Sequence, residues 1–417
     1  MKPRNSHFCT LIIQLFLLAK LNSSVSFRSL SKILAMYKLP LELQCKTPSY
    51  QTGLLLVKKI GYHQLHLPQK KADDWIVITD ESVSIGQERL LVILGIRRSE
   101  IDFTRPLKLQ DLKPLLVKSK ETWTGDDVAE QLKIVEEKVG KILYGVTDSG
   151  GAFKKGFREA GIKQVFDITH SIANALEKIY KENPDFKDFT HRMAEMRGKS
   201  FCGKFAHLIP PNQRSKSRFL NIDIIADWGM KVLTALEKNN ASIEEKQQLL
   251  WVKKYQNLIE EMNKLIDIIK QISIQLKTYG LSKKTKRKCI SILKECKTGK
   301  MIIFRDHMMI YLESNIKNIQ KRSEKLLCCT DIIESTFGRY KNEINKNPMS
   351  GITDLALIIP ALTSNLSTET INKAIDSCSV KQIKQWNKAN LCLPLSVKRY
   401  AIFSIKENEE NLSKMVI

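Results

Sequence analysis

Asp80 and Asp148 each stand as the first acidic residue after a short apolar run, Trp75-Ile76-Val77-Ile78-Thr79 and Ile142-Leu143-Tyr144-Gly145-Val146-Thr147. Runs of this length, rich in β-branched residues and bounded by polar ones, predict buried strands. Ligands of an α/β sheet bind beyond the carboxyl ends of its parallel strands, so two aspartates on adjacent strands can converge on one site. Paired carboxylates repel unless a cation lies between them. Hard oxygen ligands suit Mg²⁺ or Mn²⁺, and two such ions activate a water or hydroxyl and stabilise the leaving oxygen in phosphodiester chemistry. For either aspartate alone, capping the next turn is the commoner role. Glu81 rivals Asp80, but alternation along a strand turns the two to opposite faces.

A third carboxylate narrows the choice. The segment 330–341 reads as a helix with Ile333 and Phe337 toward a core, and Glu334 and Lys341 lie two turns apart on one side. A Glu and a Lys so placed can hold a metal and a phosphate, although taken alone the pattern is an ordinary helix surface. Asp167-Ile168-Thr169-His170 directly follows a further strand, Gln164-Val165-Phe166. His170 there is either a site residue or a core histidine at a helix start.

The positioning elements alternate. Arg89 to Ile96 predicts another strand, and helical spacing marks 126–141, 153–160 and 171–181, so the block is α/β with parallel members. Beyond residue 182 the strand pattern stops. Trp251, Tyr255, Leu258, Met262, Leu265, Ile269, Ile272 and Leu276 form a heptad seam, suited to a long helix within a bundle of this chain, and Gly280 ends it.

Charge bears on the partner. The chain has 417 residues and 68 Lys+Arg against 44 Asp+Glu, 68 − 44 = +24, which favours nucleic acid or an anionic surface over a small neutral substrate. Two segments concentrate it. Residues 1–60 hold nine basic residues and one acid, and residues 281–300 hold eight and one, so they carry +8 and +7. In the first, helices over 27–37 and 47–60 are compatible with a helix-turn-helix presenting Lys58 and Lys59, or with a plain helical hairpin. In the second, Lys283, Lys284, Lys286, Arg287 and Lys288 form either a phosphate-binding surface or a solvated loop. Arg197, Lys199, Lys204, Arg214, Lys216 and Arg218 follow Met196 without an intervening acid, with Phe201, Phe205 and Phe219 among them. Cation and ring together suit a DNA backbone and a splayed base. Nine scattered cysteines without a Cys-x-x-Cys pair read as reduced thiols. The apolar run 11–19 imitates a secretory signal but is too short to span a bilayer, and Leu11, Leu15 and Leu18 suit a buried first helix.

The order strand-Asp80, strand-Asp148, Asp167-x-x-His170, helical insertion, Glu334-x₆-Lys341 resembles the DDE transposases of bacterial insertion sequences. The Asp-x-x-His element is similar to one in Mutator-like transposases. The Glu-x₆-Lys spacing is similar to the signature of another insertion-sequence group, although Leu327 and Thr330 stand where that group has Tyr and Arg. The resemblance implies an RNase H-like mixed sheet flanked by helices. Its divisions are a helical DNA-binding region at 1–68, the first part of the core at 69–182, an all-helical insertion at 183–325, the core helix with the third carboxylate at 326–350 and a C-terminal helical region at 351–417. It also implies that Asp80, Asp148 and Glu334 hold two Mg²⁺ or Mn²⁺ ions, that Asp167 and His170 orient the site, and that Lys341 meets a phosphate. Double-stranded DNA would be the partner, a homo-oligomer the working form and the bacterial cytoplasm the location, without a membrane span. The competing readings are an inactive DNA-binding protein derived from a transposase and an unrelated α/β enzyme. Against the latter, the chain has no Gly-rich phosphate loop and no nucleophile elbow.

Overall fold

The computed structural model describes residues 2–4, 6–37, 46–83, 86–213, 218–238, 241–319, 324–345 and 348–403. They fall into two compact units, Met1–Asp102 with Leu107–Gln164 and Thr330–Ile417, and Phe103–Pro106 with Val165–Cys329. The first unit opens with α1 (Thr10–Asn22), α2 (Phe27–Tyr37) and α3 (Tyr50–His66). It continues through β1 (Ala72–Val83), β2 (Arg89–Arg97), β3 (Lys113–Lys120), α4 (Gly125–Val139), β4 (Gly140–Thr147), α5 (Gly151–Glu159) and β5 (Lys163–Phe166). The second is helical, with α6 (Ile168–Tyr180), α7 (Pro184–Ser200), α8 (Ile222–Glu237), α9 (Ile243–Leu249), α10 (Gln256–Tyr279), α11 (Lys283–Leu293) and α12 (Gly299–Ile316). The chain then returns to the first unit as α13 (Asp331–Ile344), α14 (Ile358–Ala361), α15 (Thr368–Ser377) and α16 (Val380–Asn390).

The strands form one mixed sheet in the order β3-β2-β1-β4-β5. β1 runs antiparallel to β2, β2 antiparallel to β3, and β1 parallel to β4. β4 returns parallel to β1 because α4 separates β3 from it and closes a crossover. Alternation sorts the side chains of β1 between two layers. Trp75 and Val77 join Leu91, Ile93, Val128, Leu132, Phe153 and Phe157 in a core beneath α4 and α5. Ile76 and Ile78 are fully buried on the other face.

α3 packs against α1, α2, α14, α15 and β3, and Gly61 lies so close to α14's approach that a Cβ there would come within 1.8 Å of the Leu357 carbonyl oxygen. α3 is thus a packed helix of the first unit. The buried stripe of α1 is rotated from the expected one. Ile12, Ile13, Phe16 and Leu17 are buried, whereas Leu11 and Leu18 are 53 % and 40 % exposed.

In the second unit the long heptad helix begins later than its seam, because Leu250–Tyr255 winds as a 3-10 segment before α10. Gly280 closes α10 at φ 68°, a conformation that suits glycine. The basic segment is α11 and not a loop: Ser282 accepts from the Thr285 N–H, and Cys289 and Leu293 are buried.

The start of α4 yields a test of the local order. Thr124 and Asp127 form a reciprocal cap, and Asp127 also accepts from Lys120 at 2.6 Å. The Lys120 hydrogen bond, opposed by burial and helped by the Thr124 contacts, brings the Asp127 carboxyl from its ordinary 3.8 to about 2. Because the folded value is depressed, the stabilisation is complete above 3.8 and is lost as pH falls through about 2. Asp127→Ala should therefore cost about 1 kcal/mol near neutrality. Urea midpoints of the two proteins should converge as the pH drops from about 4 toward 2.

Candidate active site

The register of β1 and β4 pairs Val77 with Gly145 and Ile78 with Val146; Asp80 follows inside β1, and Asp148 comes one residue after the end of β4. Asp80 continues the Ile78 side. The opposite face is identified by Gly145, whose missing Cβ leaves room for the Phe157 ring of α5. Asp80 therefore lies on the face away from α4 and α5. Glu81 pairs with Leu91 on the α4 and α5 side and binds Arg89 at 3.1 Å. Asp80 lies inside β1 and not beyond its end, because pairing with β2 carries the strand through to Val83.

α13 packs on β1. Its buried residues Ile333, Phe337 and Tyr340 are not members of the core under α4 and α5. Glu334 is half-buried in the first turn of α13, and Lys341 is exposed near its end. Asp80, Asp148 and Glu334 thus all belong to the first unit.

Asp148 is held from several sides. The Gly150 N–H donates to its Oδ1 at 2.9 Å, Thr147 Oγ1 donates to its carbonyl at 2.6 Å, and Gln164 Nε2 donates to Thr147 Oγ1 at 3.0 Å and to the same carbonyl at 3.3 Å. Its Oδ2 takes no hydrogen bond from a described residue. Asp80 Oδ1 accepts from the Glu81 N–H at 2.7 Å. Thr147 and Gln164 escaped the sequence reading; a polar residue inside the apolar strand β5 is the one sign that pointed to them.

Asp167 and His170 lie in the second unit. Asp167 is buried at the N-cap of α6 and accepts from the His170 backbone N–H at 2.7 Å, with His170 Nδ1 at 3.0 Å. The two residues bond to each other and order the first turn of that helix.

The basic residues divide. Lys58 binds Asp354 at 2.7 Å, and Lys59 donates to the Ile375 carbonyl, with burial lowering its pKa. Both ammonium groups thus have partners inside the first unit. On α11, Lys286 reaches Glu313, while Lys283, Lys284, Arg287 and Lys288 are exposed and make no ion pair with a described residue. Lys284, Arg287 and Lys288 lie three and four positions apart and form one stripe. Arg214 falls outside the described residues, and Arg218 opens the 3-10 turn Arg218–Asn221.

No family model matches the chain, and no curated protein does. Among solved structures, a chain titled "Drosophila P element transposase strand transfer complex" is similar at 12 % identity with a TM-score of 0.43, over 88 % of this chain and 94 % of its own. A likeness at that score assigns neither fold nor function. No helix among the described residues is long and apolar enough to cross a membrane.

Proposed function

We propose that this chain is a metal-dependent polynucleotidyl transferase of the DDE transposase kind, cutting DNA strands and joining the freed 3′-OH to a target. One observation carries the reading: β1, which bears Asp80, pairs in parallel with β4, which leads into Asp148, and α13, bearing Glu334, packs on β1. The donor set fits a hard divalent cation. It consists of carboxylates only, and Asp148 keeps one oxygen open while its other oxygen and its backbone are fixed.

Asp80, Asp148 and Glu334 are the residues that would hold Mg²⁺ or Mn²⁺. When bound, a pair of such ions supplies an activated water or hydroxyl and charge stabilisation for the leaving oxygen. The protein's own contribution is position. Gly150 aims Asp148, and Thr147 with Gln164 prevents the strand end from shifting. Lys341 supplies a cation for a phosphate two helical turns from Glu334, and the α11 stripe supplies sequence-independent attraction for the backbone of double-stranded DNA.

DNA carrying the ends of the chain's own element, incubated with the protein and Mg²⁺, should acquire strand breaks that leave a 3′-OH. EDTA should suppress them. Breaks that persist unchanged in EDTA contradict the proposal, and tight binding without breaks in Mg²⁺ or Mn²⁺ returns the chain to the class of DNA-binding proteins without cutting activity.

A further inference from the structure

The second unit holds a cleft of about 370 Å³ at the end of α7, between Arg197, Gly198 and Phe201 on one side and Pro211 and Asn212 on the other. Its size falls at the lower end of the roughly 300–1,000 Å³ typical of ligand clefts. Phe201 is 62 % exposed, an unusual position for a ring that folding alone would bury. Arg197 Nη1 donates to the Pro210 carbonyl at 2.7 Å, and its guanidinium carbon lies 5.9 Å from the Phe201 ring centre. That bond pins the far wall to the helix and holds a cation beside the ring. At Gly198 no atom lies within 4 Å of where a Cβ would be, so the floor is open. Asn212 is exposed, and its amide has no partner among the described residues.

The surroundings select the occupant. From Met196 to Asn221 there is no acidic residue. Lys199 of α7 is exposed and makes no ion pair with a described residue, but it lines the opposite face of that helix, beside Arg192 and Glu195. The nearby acids Glu244 and Glu245 are engaged by Lys204 and His207, which tie the loop after Phe201 to α9. A flat aromatic face, a fixed guanidinium, an amide with both a donor and an acceptor, and a positive rim match a nucleobase attached to its phosphate. A base within a duplex has no free face to stack. We infer that this cleft receives one unpaired base of a single-stranded DNA segment, stacked on Phe201 with its edge toward Asn212 and its flanking phosphate toward the acid-free segment around Arg197. The choice of DNA rests on the proposed function; the choice of an unpaired base rests on the cleft.

The test uses the full chain in EDTA, where binding is separate from cutting. Fluorescence anisotropy is read with a short single-stranded oligonucleotide, with the same oligonucleotide made abasic throughout, with its RNA counterpart and with a duplex. Phe201→Ala should weaken single-strand binding roughly tenfold, since stacking one base on a ring is worth about that much. It should leave duplex binding unchanged, and Phe201→Trp should restore the affinity and have its emission quenched by the oligonucleotide. Abasic DNA should bind the wild type about as weakly as normal DNA binds Phe201→Ala. Equal affinity of the wild type for normal and abasic strands overturns the inference, as does equal weakening of single strand and duplex, or a preference for the RNA counterpart. Because Phe201 is exposed, the variant should keep the wild-type circular dichroism. Loss of single-strand binding with intact Mg²⁺-dependent cutting, or the reverse, shows which of the two readings has failed.

Discussion

Asp148→Asn should fold normally and lose Mg²⁺-dependent DNA cutting by a factor on the order of 10³. Changing only the outer partners of a metal ligand costs roughly 10- to 100-fold, and removing the ligand's charge should cost more. Asp80→Asn and Glu334→Gln should behave alike, because the three carboxylates act as a set and their losses should not add. Glu81→Gln is the matched control. It removes a neighbouring charge from the same strand but from the opposite face, where Glu81 already pairs with Arg89, so cutting should stay near wild type. A second readout needs no DNA. Mn²⁺ or Mg²⁺ should raise the melting temperature of the wild type by mass action and should fail to raise that of Asp148→Asn. With the cations removed, the neutral variant should melt no lower than the wild type, because it relieves repulsion between neighbouring carboxylates. If Glu81→Gln proves as damaging as Asp148→Asn, or if the variants keep the full metal-induced rise, the three-carboxylate site is wrong.

Much of this face was legible because buried strands write themselves as contiguous β-branched runs. Trp75 to Thr79 and Ile142 to Thr147 were visible for that reason, and so was their being parallel members of one sheet. The strand β3 left no such mark. Lys113-Pro114-Leu115-Leu116-Val117-Lys118-Ser119-Lys120 places lysines and a proline where an outer strand of the sheet must discourage further pairing, and those same residues erase the apolar run. Charge was the least legible property. Position in the chain cannot tell a lysine that meets solvent from one that meets a carbonyl across the fold, so Lys58 and Lys59 read like the lysines of α11 until Asp354 and Ile375 were placed beside them. The +8 of the first sixty residues is thus partly structural, whereas the stripe on α11 stays outward.

Lys20 is the extreme case of that lesson and gives the largest expected effect on stability. It sits in the last turn of α1 with a fully buried side chain, binds Glu343 of α13 at 2.6 Å, donates to the Val25 carbonyl at 2.8 Å and lies 4.5 Å from the centre of the Phe27 ring. Its partner is 7 % exposed. Desolvating two charges costs several kcal/mol per ion, and their attraction roughly repays that cost only while both are present. Lys20→Met keeps the bulk of the side chain and leaves the Glu343 carboxylate buried without its ammonium. It should destabilise the protein by about 3–5 kcal/mol, read as a fall in the urea midpoint at unchanged slope. Glu343→Leu should cost a comparable amount for the opposite charge. The double variant Lys20→Met/Glu343→Leu should recover most of the loss, since an apolar pair of similar volume is often as stable as a buried ion pair. Additive losses in the double variant would mean that the two side chains matter through separate packing and not through their pairing. If the pair matters, its consequence reaches the candidate site, because Glu343 lies on the same helix as Glu334 and Lys20, together with Arg339 donating to the Leu21 carbonyl, ties that helix to α1.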